Sequence, residues 1–255
     1  MLLAVDIGNT NIVIGVFEEE RLIKHWKIKS EREKTRDEYS ITILNLFSLS
    51  NIKIREIDFV IISSVVPPLT PAFQKLSLSM FHLKALTVGP GLKTGMSILY
   101  ENPVEVGADR IVSSVAAFTK FGGPCIIVDF GTATTFDAVS SAGEYLGGSI
   151  APGIQIAAEA LYLKTAKLPR IEIKKPSKAI GRTTVSSMQS GLYFGTIGLV
   201  SNIIEKIKKE LGESVKVIAT GGYASLICKE IESIDFHEPN LVLEGLRIMH
   251  DRNRE

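Results

Sequence analysis

Two short stretches place an aspartate and a glycine where they could hold phosphate. The first is Leu2-Leu3-Ala4-Val5-Asp6-Ile7-Gly8-Asn9-Thr10-Asn11, the second Ile126-Ile127-Val128-Asp129-Phe130-Gly131-Thr132-Ala133-Thr134-Thr135. Each is an apolar run, an Asp-x-Gly step, then small residues with hydroxyl or amide side chains. Glycine lets a backbone approach a phosphate closely. The N–H groups of such a turn, helped by Thr or Asn side chains, can donate to phosphate oxygens. An aspartate at a strand end can hold a metal ion or its water. One Asp-x-Gly is a common β-turn and means little. Two in matched surroundings, with Thr220-Gly221-Gly222 after a third strand-like run, argue for a nucleotide site. The chain has no Gly-x-x-x-x-Gly-Lys phosphate loop and no Gly-x-Gly-x-x-Gly after a strand. The stretch Gly89-Pro90-Gly91-Leu92-Lys93-Thr94-Gly95 has the wrong spacing for either.

A second group is Val106-Gly107-Ala108-Asp109-Arg110-Ile111, at the head of an amphipathic run. Here Asp109 has two readings. It complements a helix dipole, as acidic residues in a first turn do, or it serves as a base with Arg110 binding an anion. Spacing alone leaves both open. His25, His82, His237 and His250 are scattered without ligand spacing and read as surface or packed side chains. Trp26, in an alternating strand, reads as core.

The elements that must carry these residues are duplicated. After the first Asp-x-Gly, Ile12–Phe17 and Leu22–Ile28 flank the turn Glu18–Arg21. After the second, Phe136–Val139 and Glu144–Ile150 flank Ser140–Gly143. Period-2 alternation and turn residues make both pairs hairpins. Helices are expected at Asp37–Leu49, Pro71–Phe81, Ala108–Phe121, Asn202–Leu211 (the end of a long helix) and Tyr223–Ile231. Strands are expected at Phe59–Ile62, Leu86–Val88 and Val215–Ala219. Three meandering strands followed by alternating helices and strands, twice over, define an α/β fold of two duplicated domains, each a mixed sheet flanked by helices. The expected domains are residues 1–115, with the first phosphate loop and the candidate base, and 116–255, with the second phosphate loop and the Gly221-Gly222 loop. No low-complexity linker separates them, so a cleft between the two is expected.

Composition narrows the classes. The 255 residues are 45% hydrophobic and 22% charged with net charge +1, which speaks against a nucleic-acid or membrane partner. Cys125 and Cys228 lie in apolar runs, with no metal-ligand pattern, and fit a reducing compartment. The N-terminal stretch lacks the charged region of a signal peptide. The longest apolar stretch, Gly191–Ile204, is too short and too interrupted to span a bilayer. A cytoplasmic location is expected. Gly191, Gly195 and Gly198 recur on one side of a helix, which suits either a close subunit contact or an accommodated core helix.

The paired loops are similar to those of the actin, hexokinase and acetate-kinase superfamily. More specifically, the chain resembles type III pantothenate kinases along essentially its whole length. The resemblance is carried by Asp6-Ile7-Gly8-Asn9-Thr10-Asn11, Gly89-Pro90-Gly91 with Thr94-Gly95, and Tyr100-x-Asn102-Pro103. It continues through Gly107-Ala108-Asp109-Arg110, Asp129–Thr134, Gly147–Gly153, Leu168-Pro169, Gly181–Thr184, Met188–Gly191 and Thr220–Gly222, in order and in register.

That resemblance implies ATP-dependent phosphorylation of pantothenate on its 4′-hydroxyl, the first committed step toward coenzyme A. It implies ATP phosphate binding by Asp6, Ile7, Gly8, Asn9, Thr10, Asn11, Ile12 and Val13, and by Thr132 from the second loop. Asp6 would lie near the Mg2+ that accompanies ATP. Asp129 would help hold a monovalent cation, K+ or NH4+. Asp109 would accept the proton. Tyr100, Gly107, Ala108, Asp109, Arg110 and Thr184 would line the pantothenate site. Relatives are homodimers, so a homodimer through the second domain is expected, with Thr184 serving its own chain or its partner. Two rivals are a kinase of the same superfamily acting on a sugar or an acyl group, and a non-enzymatic regulatory factor. The second predicts loss of a loop aspartate or of the base, whereas Asp6, Asp109 and Asp129 are all present.

Overall fold

The protein is described by a computed structural model that covers residues 1–212 and 214–254. Its chain forms two compact units, each built on a five-stranded mixed sheet. In the first, β1 (Leu2–Ile7), β2 (Asn11–Glu18) and β3 (Arg21–Lys29) form an antiparallel meander, and β4 (Phe59–Ser64) and β5 (Leu86–Thr87) add in parallel on the other side of β1. The order is β3-β2-β1-β4-β5. In the second, β6 (Cys125–Phe130), β7 (Ala133–Val139) and β8 (Tyr145–Pro152) repeat the meander, and β9 (Lys216–Thr220) and β10 (Phe236–His237) repeat the parallel extension, giving β10-β9-β6-β7-β8.

The duplication holds at single residues. Asp6 is the fifth residue of the six in β1 and Asp129 the fifth of the six in β6. Across the parallel ladder Asp6 sits opposite Ser63 of β4, and Asp129 opposite Thr220 of β9. Both aspartates thus stand at the carboxyl end of a central strand beside a hydroxyl residue. Ligands of open α/β sheets bind at that end of the strands.

The helices follow local rules. α1 (Arg36–Leu49) begins at Thr35, whose hydroxyl accepts the Glu38 N–H while the Glu38 carboxylate accepts the Thr35 N–H at 2.7 Å, a capping box. Its Tyr39, Ile43 and Phe47 recur every four residues and pack under the first sheet, Phe47 stacking on Trp26 and Tyr39 meeting Phe73 of α2 (Thr70–Leu76). The helix expected over Pro71–Phe81 continues past α2 as a wider π turn at Ser77–Phe81. α3 (Ala108–Phe121) begins in the first unit and ends in the second. α4 (Ile154–Lys164) and the 28-residue α5 (Thr184–Leu211), capped at Thr183, flank the second sheet. α6 is shorter than expected: Ala224–Ile227, then a 3-10 turn at Cys228–Glu230.

One departure changes the domain description. Residues 116–255 were expected to stay together, but the chain from Leu241 on returns to the first unit as α7 (Leu241–Arg252). Ser97–Tyr100 in turn joins the second unit, and the division in α3 falls between Ala116 and Ala117. The cause is apolar burial. Leu241, Leu243, Leu246 and Met249 are all buried, each worth about 1.5–3 kcal/mol relative to exposure. Leu243 fills the space left by Gly15 in β2, and Gly245 lets α7 lie directly on the Val112 carbonyl of α3.

That contact yields a prediction. A methyl at position 245 would overlap the Val112 carbonyl oxygen, so Gly245→Ala should destabilise the protein by about 1–3 kcal/mol, despite alanine's higher helix propensity. A chemical-denaturation midpoint equal to or above wild type would show that α7 does not sit as described.

Candidate active site

The first loop is a tight turn. The Gly8 N–H donates to the Asn11 carbonyl at 3.0 Å, and a side chain at Gly8 would stand 3.0 Å from that same oxygen. Asn9 and Thr10 are exposed at its tip. Arg32 donates to Asn9 Oδ1 at 3.1 Å, and Ser30 N–H to the Thr10 carbonyl at 3.0 Å. These bonds tie the loop to the segment after β3. Ile7 and Ile12 are fully buried beneath it, so Asp6, Gly8, Asn9, Thr10 and Asn11 share one rim while their neighbours anchor it. The arrangement fits backbone donors presented to an anion.

The head of α3 lies in the same unit. The Gly107 carbonyl accepts the N–H groups of Arg110 (3.1 Å) and Ile111 (3.3 Å), which starts the helix. The Asp109 carboxylate folds back over Gly107: Oδ1 accepts the Arg110 N–H at 2.8 Å, and a Cβ at Gly107 would be 2.5 Å from that oxygen. Burial pushes the Asp109 carboxyl above its ordinary value; the Arg110 amide hydrogen bond and the Arg110 charge pull the other way and do not cancel it. A carboxylate held partly dry at a helix head is a stronger base than one in water. The geometry fits the dipole reading of Asp109 and gives its carboxyl the raised proton affinity that a base would need.

In the second unit, Asp129 is enclosed by glycines. A Cβ at Gly221 would overlap its Oδ1, and one at Gly131 would stand 3.3 Å away. Gly221 also has φ +96°, which side chains with a Cβ rarely adopt. Thr132 is exposed at the tip of its loop, and its carbonyl backs onto Gly153 at the head of α4, where no side chain fits. The Tyr223 N–H donates to the Phe130 carbonyl at 3.2 Å and its hydroxyl to Gln155 at 2.8 Å. The three glycine-bearing segments 129–132, 153 and 221–223 are thus one assembly around Asp129 and Thr132. Among the described residues no three His, Cys, Asp or Glu converge into a metal cage. Asp6 and Asp129 each supply a carboxylate beside hydroxyl residues, an oxygen donor set that suits a hard cation sharing phosphate oxygens and water.

Tyr100 and Thr184 lie in this unit but in different places. Tyr100 rests over Gly147, with ring atoms 3.4 Å from where a Cβ would be, and its ring centre is 6.4 Å from that of Tyr145. Thr184 opens α5 on the wall of an open groove of about 1010 Å³ with Leu161, Leu168, Arg182, Ser187 and Met188; Tyr100 does not line that groove. The cysteines are inert: burial raises both thiols, Cys125 to about 12. His250 is buried, its ring tilted against that of Phe59 and bonded to Asp251, a packed histidine. Gly153 belongs to the Gly147–Gly153 stretch that carries the resemblance, and its role here is a close backbone approach; no signal in the sequence singled out the Arg32–Asn9 bond, which joins residues 23 apart.

Two mixed sheets of the same order, each ending its central strand in an aspartate next to a glycine turn, define the actin- and hexokinase-like class of α/β kinases. The model of the type III pantothenate kinase family matches residues 2–206, and the chain belongs to that family. It is 54% identical over its full length to the type III pantothenate kinase of Geobacter sulfurreducens, with all of both chains covered. To that of Koribacter versatilis it is 53% identical over 264 aligned positions, covering all of this chain and 96% of the other. Among solved structures, the activator of 2-hydroxyisocaproyl-CoA dehydratase from Clostridium difficile, with bound ADPNP, shares the fold at TM-score 0.56 and 12% identity, over 98% of this chain and 94% of that one.

The raised Asp109 carboxyl has a consequence for stability. A folded-state value above the unfolded one, about 3.9, means the folded protein holds the proton more tightly. The stability this group contributes is therefore complete below that unfolded value, and it is lost as pH rises through the raised folded value. Asp109→Asn removes the burdened charge, so the variant should be more stable than wild type at neutral pH, and the gap should close on acidification. Denaturation midpoints across the acid range check this; a variant less stable at neutral pH would contradict it.

Proposed function

We propose that the chain transfers the γ-phosphoryl group of ATP to the 4′-hydroxyl of pantothenate, the first step of coenzyme A biosynthesis. The observation that carries this is end-to-end identity above half with type III pantothenate kinases, with Asp6, Asp109, Asp129 and both glycine turns in place. In this reading Asp6 and the Ile7–Val13 turn bind ATP phosphates, and Thr132 contacts ATP from the second loop. Asp109 accepts the hydroxyl proton late in the transfer. Arg110 meets the pantothenate carboxylate, bidentately where geometry allows, and Tyr100, Gly107, Ala108 and Thr184 complete the pocket. Phosphoryl transfer has a loose transition state, so positioning and charge neutralisation do most of the work. Mg2+ beside Asp6 and K+ or NH4+ beside Asp129 would offset phosphate charge when bound. Among the described residues no helix is long and apolar enough to cross a membrane, and the reading places the enzyme in the cytoplasm.

A coupled ADP-release assay tests it. Turnover should require pantothenate, fail with sugars and acetate, and rise when K+ or NH4+ replaces Na+. Asp109→Asn should lower kcat by about 10²–10⁴-fold with ATP binding kept. Pantothenate-independent ATP hydrolysis, or sugar turnover, would sink the assignment.

The same reading includes a homodimer. What supports it is the apolar face of α4 and α5: Ile156, Tyr162, Leu163, Val185, Phe194 and Leu199 are exposed. Between the α5 side chains, Gly191, Gly195 and Gly198 leave open space, with nothing within 4 Å of an added Cβ. Should the partner chain close the pocket, Thr184 serves the other subunit's Asp109, and mixing decides it. Asp109→Asn and Thr184→Val proteins, each weakly active, should regain activity when subunits exchange, because a mixed dimer contains one intact site. Verified exchange with activity staying at the parental mean would refute the shared site.

A further inference from the structure

Asp137 is a buried carboxylate that the proposed phosphoryl transfer does not use. It lies on β7 with 1% of its surface exposed. The hydroxyl of Tyr145, itself fully buried, donates to Asp137 Oδ1 at 2.7 Å, and the Thr135 hydroxyl reaches Oδ2 at 3.5 Å. A carboxylate in a sheet interior costs free energy unless it is well bonded, and an apolar pair of the same shape would hold two strands together as well. The bond must therefore be read together with what Tyr145 holds.

Tyr145 holds the segment that ends in Tyr100. Its N–H donates to the Ser97 carbonyl at 2.8 Å, and its carbonyl accepts the Leu99 N–H at 2.8 Å, a parallel bridge centred on Ile98. This bridge fastens the stretch before Tyr100 to the start of β8. Two residues beyond Tyr145, Gly147 has φ +117° and no side chain, and the Tyr100 ring lies on it. The Tyr100 and Tyr145 rings meet at 49°. Tyr145 is thus held through its hydroxyl by Asp137 and through its N–H and carbonyl by residues 97 and 99. If the hydroxyl is released, the ring that backs Tyr100, and the start of β8 that carries Gly147, lose their fixed position together.

We infer that Asp137, acting through the Tyr145 hydroxyl, is a positioning residue that sets the placement of Tyr100 and hence the apparent affinity for pantothenate but not for ATP. This rests on the reading of Tyr100 as a wall of the pantothenate pocket. Aligning an aromatic wall through a second tyrosine, with no contact to the substrate, is the kind of support that keeps a site within tenths of an ångström of its working geometry.

The test is steady-state kinetics of the full-length enzyme with each substrate varied, alongside thermal stability, for Tyr145→Phe, Asp137→Asn, Tyr100→Ala and the Tyr145→Phe/Tyr100→Ala double variant. Tyr145→Phe keeps the ring and removes the hydroxyl that Asp137 accepts. It should raise the pantothenate KM about tenfold, the scale of one lost buried hydrogen bond, with the ATP KM within about twofold of wild type. Asp137→Asn keeps an acceptor for the Tyr145 hydroxyl and should retain most of the wild-type pantothenate affinity. The double variant should match Tyr100→Ala alone, because the effect passes through Tyr100. Equal rises in both KM values, or full additivity in the double variant, would overturn the inference while leaving Tyr100 in the pocket. An unchanged pantothenate KM in Tyr100→Ala would overturn both this inference and the pocket reading. Should Asp137→Asn fail to fold, the Tyr145→Phe comparison decides alone.

Discussion

A carboxylate at the end of a central strand has to stand at the edge of a dry sheet without being swallowed by it. Everything around Asp6 and Asp129 answers that constraint. Each occupies the next-to-last position of a central strand whose other residues are almost wholly buried, so the strand is anchored by apolar packing and only its end opens. Gly131 and Gly221 leave out the atoms that would otherwise crowd the Asp129 carboxylate. Around Asp129 the clearance is so small that the third glycine loop, at Gly221, contacts the carboxylate itself. The site is made less by adding special groups than by leaving side chains out.

The same constraint gives Asp109 its character. A helix head supplies backbone N–H groups that hold a carboxylate in place, and partial burial keeps its proton affinity high. Placement and basicity come from one local arrangement, so neither can be altered without the other. This also explains why Gly107 precedes it: the carboxylate needs the volume that a side chain there would take.

Much of this was legible in the sequence because it is local and repeated. The Asp-x-Gly turns, the hairpins after them and the capped helix at Thr35 depend on neighbours within a few residues, and duplication made each copy evidence for the other. The rest depends on partners far apart in the chain. Leu241–Arg252 did not stand out as a helix with a destination, because Gly245 weakens its helical pattern; that glycine is there for Val112, over a hundred residues earlier. Asp137 looked like any polar residue in an alternating strand, since its meaning lies in a tyrosine on the next strand and in the segment beyond it. The Tyr223–Ile231 helix proved shorter because it gives way to a 3-10 turn after Ile227, a choice made by packing and not by propensity.

The return of α7 to the first unit has a consequence for how the protein is made. The second unit, apart from Ser97–Tyr100, is a continuous excursion from Ala117 to Asn240, so nearly all of its residues have been synthesised before the last helix appears. The first unit is begun earlier and finished later: one face of β1 and β2, with the empty place above Gly15, waits uncovered until Leu243 leaves the ribosome. The half of the enzyme that is translated first is therefore the half completed last. A nick or fusion that displaces α7 would uncover β1 and β2, more than two hundred residues earlier in the chain.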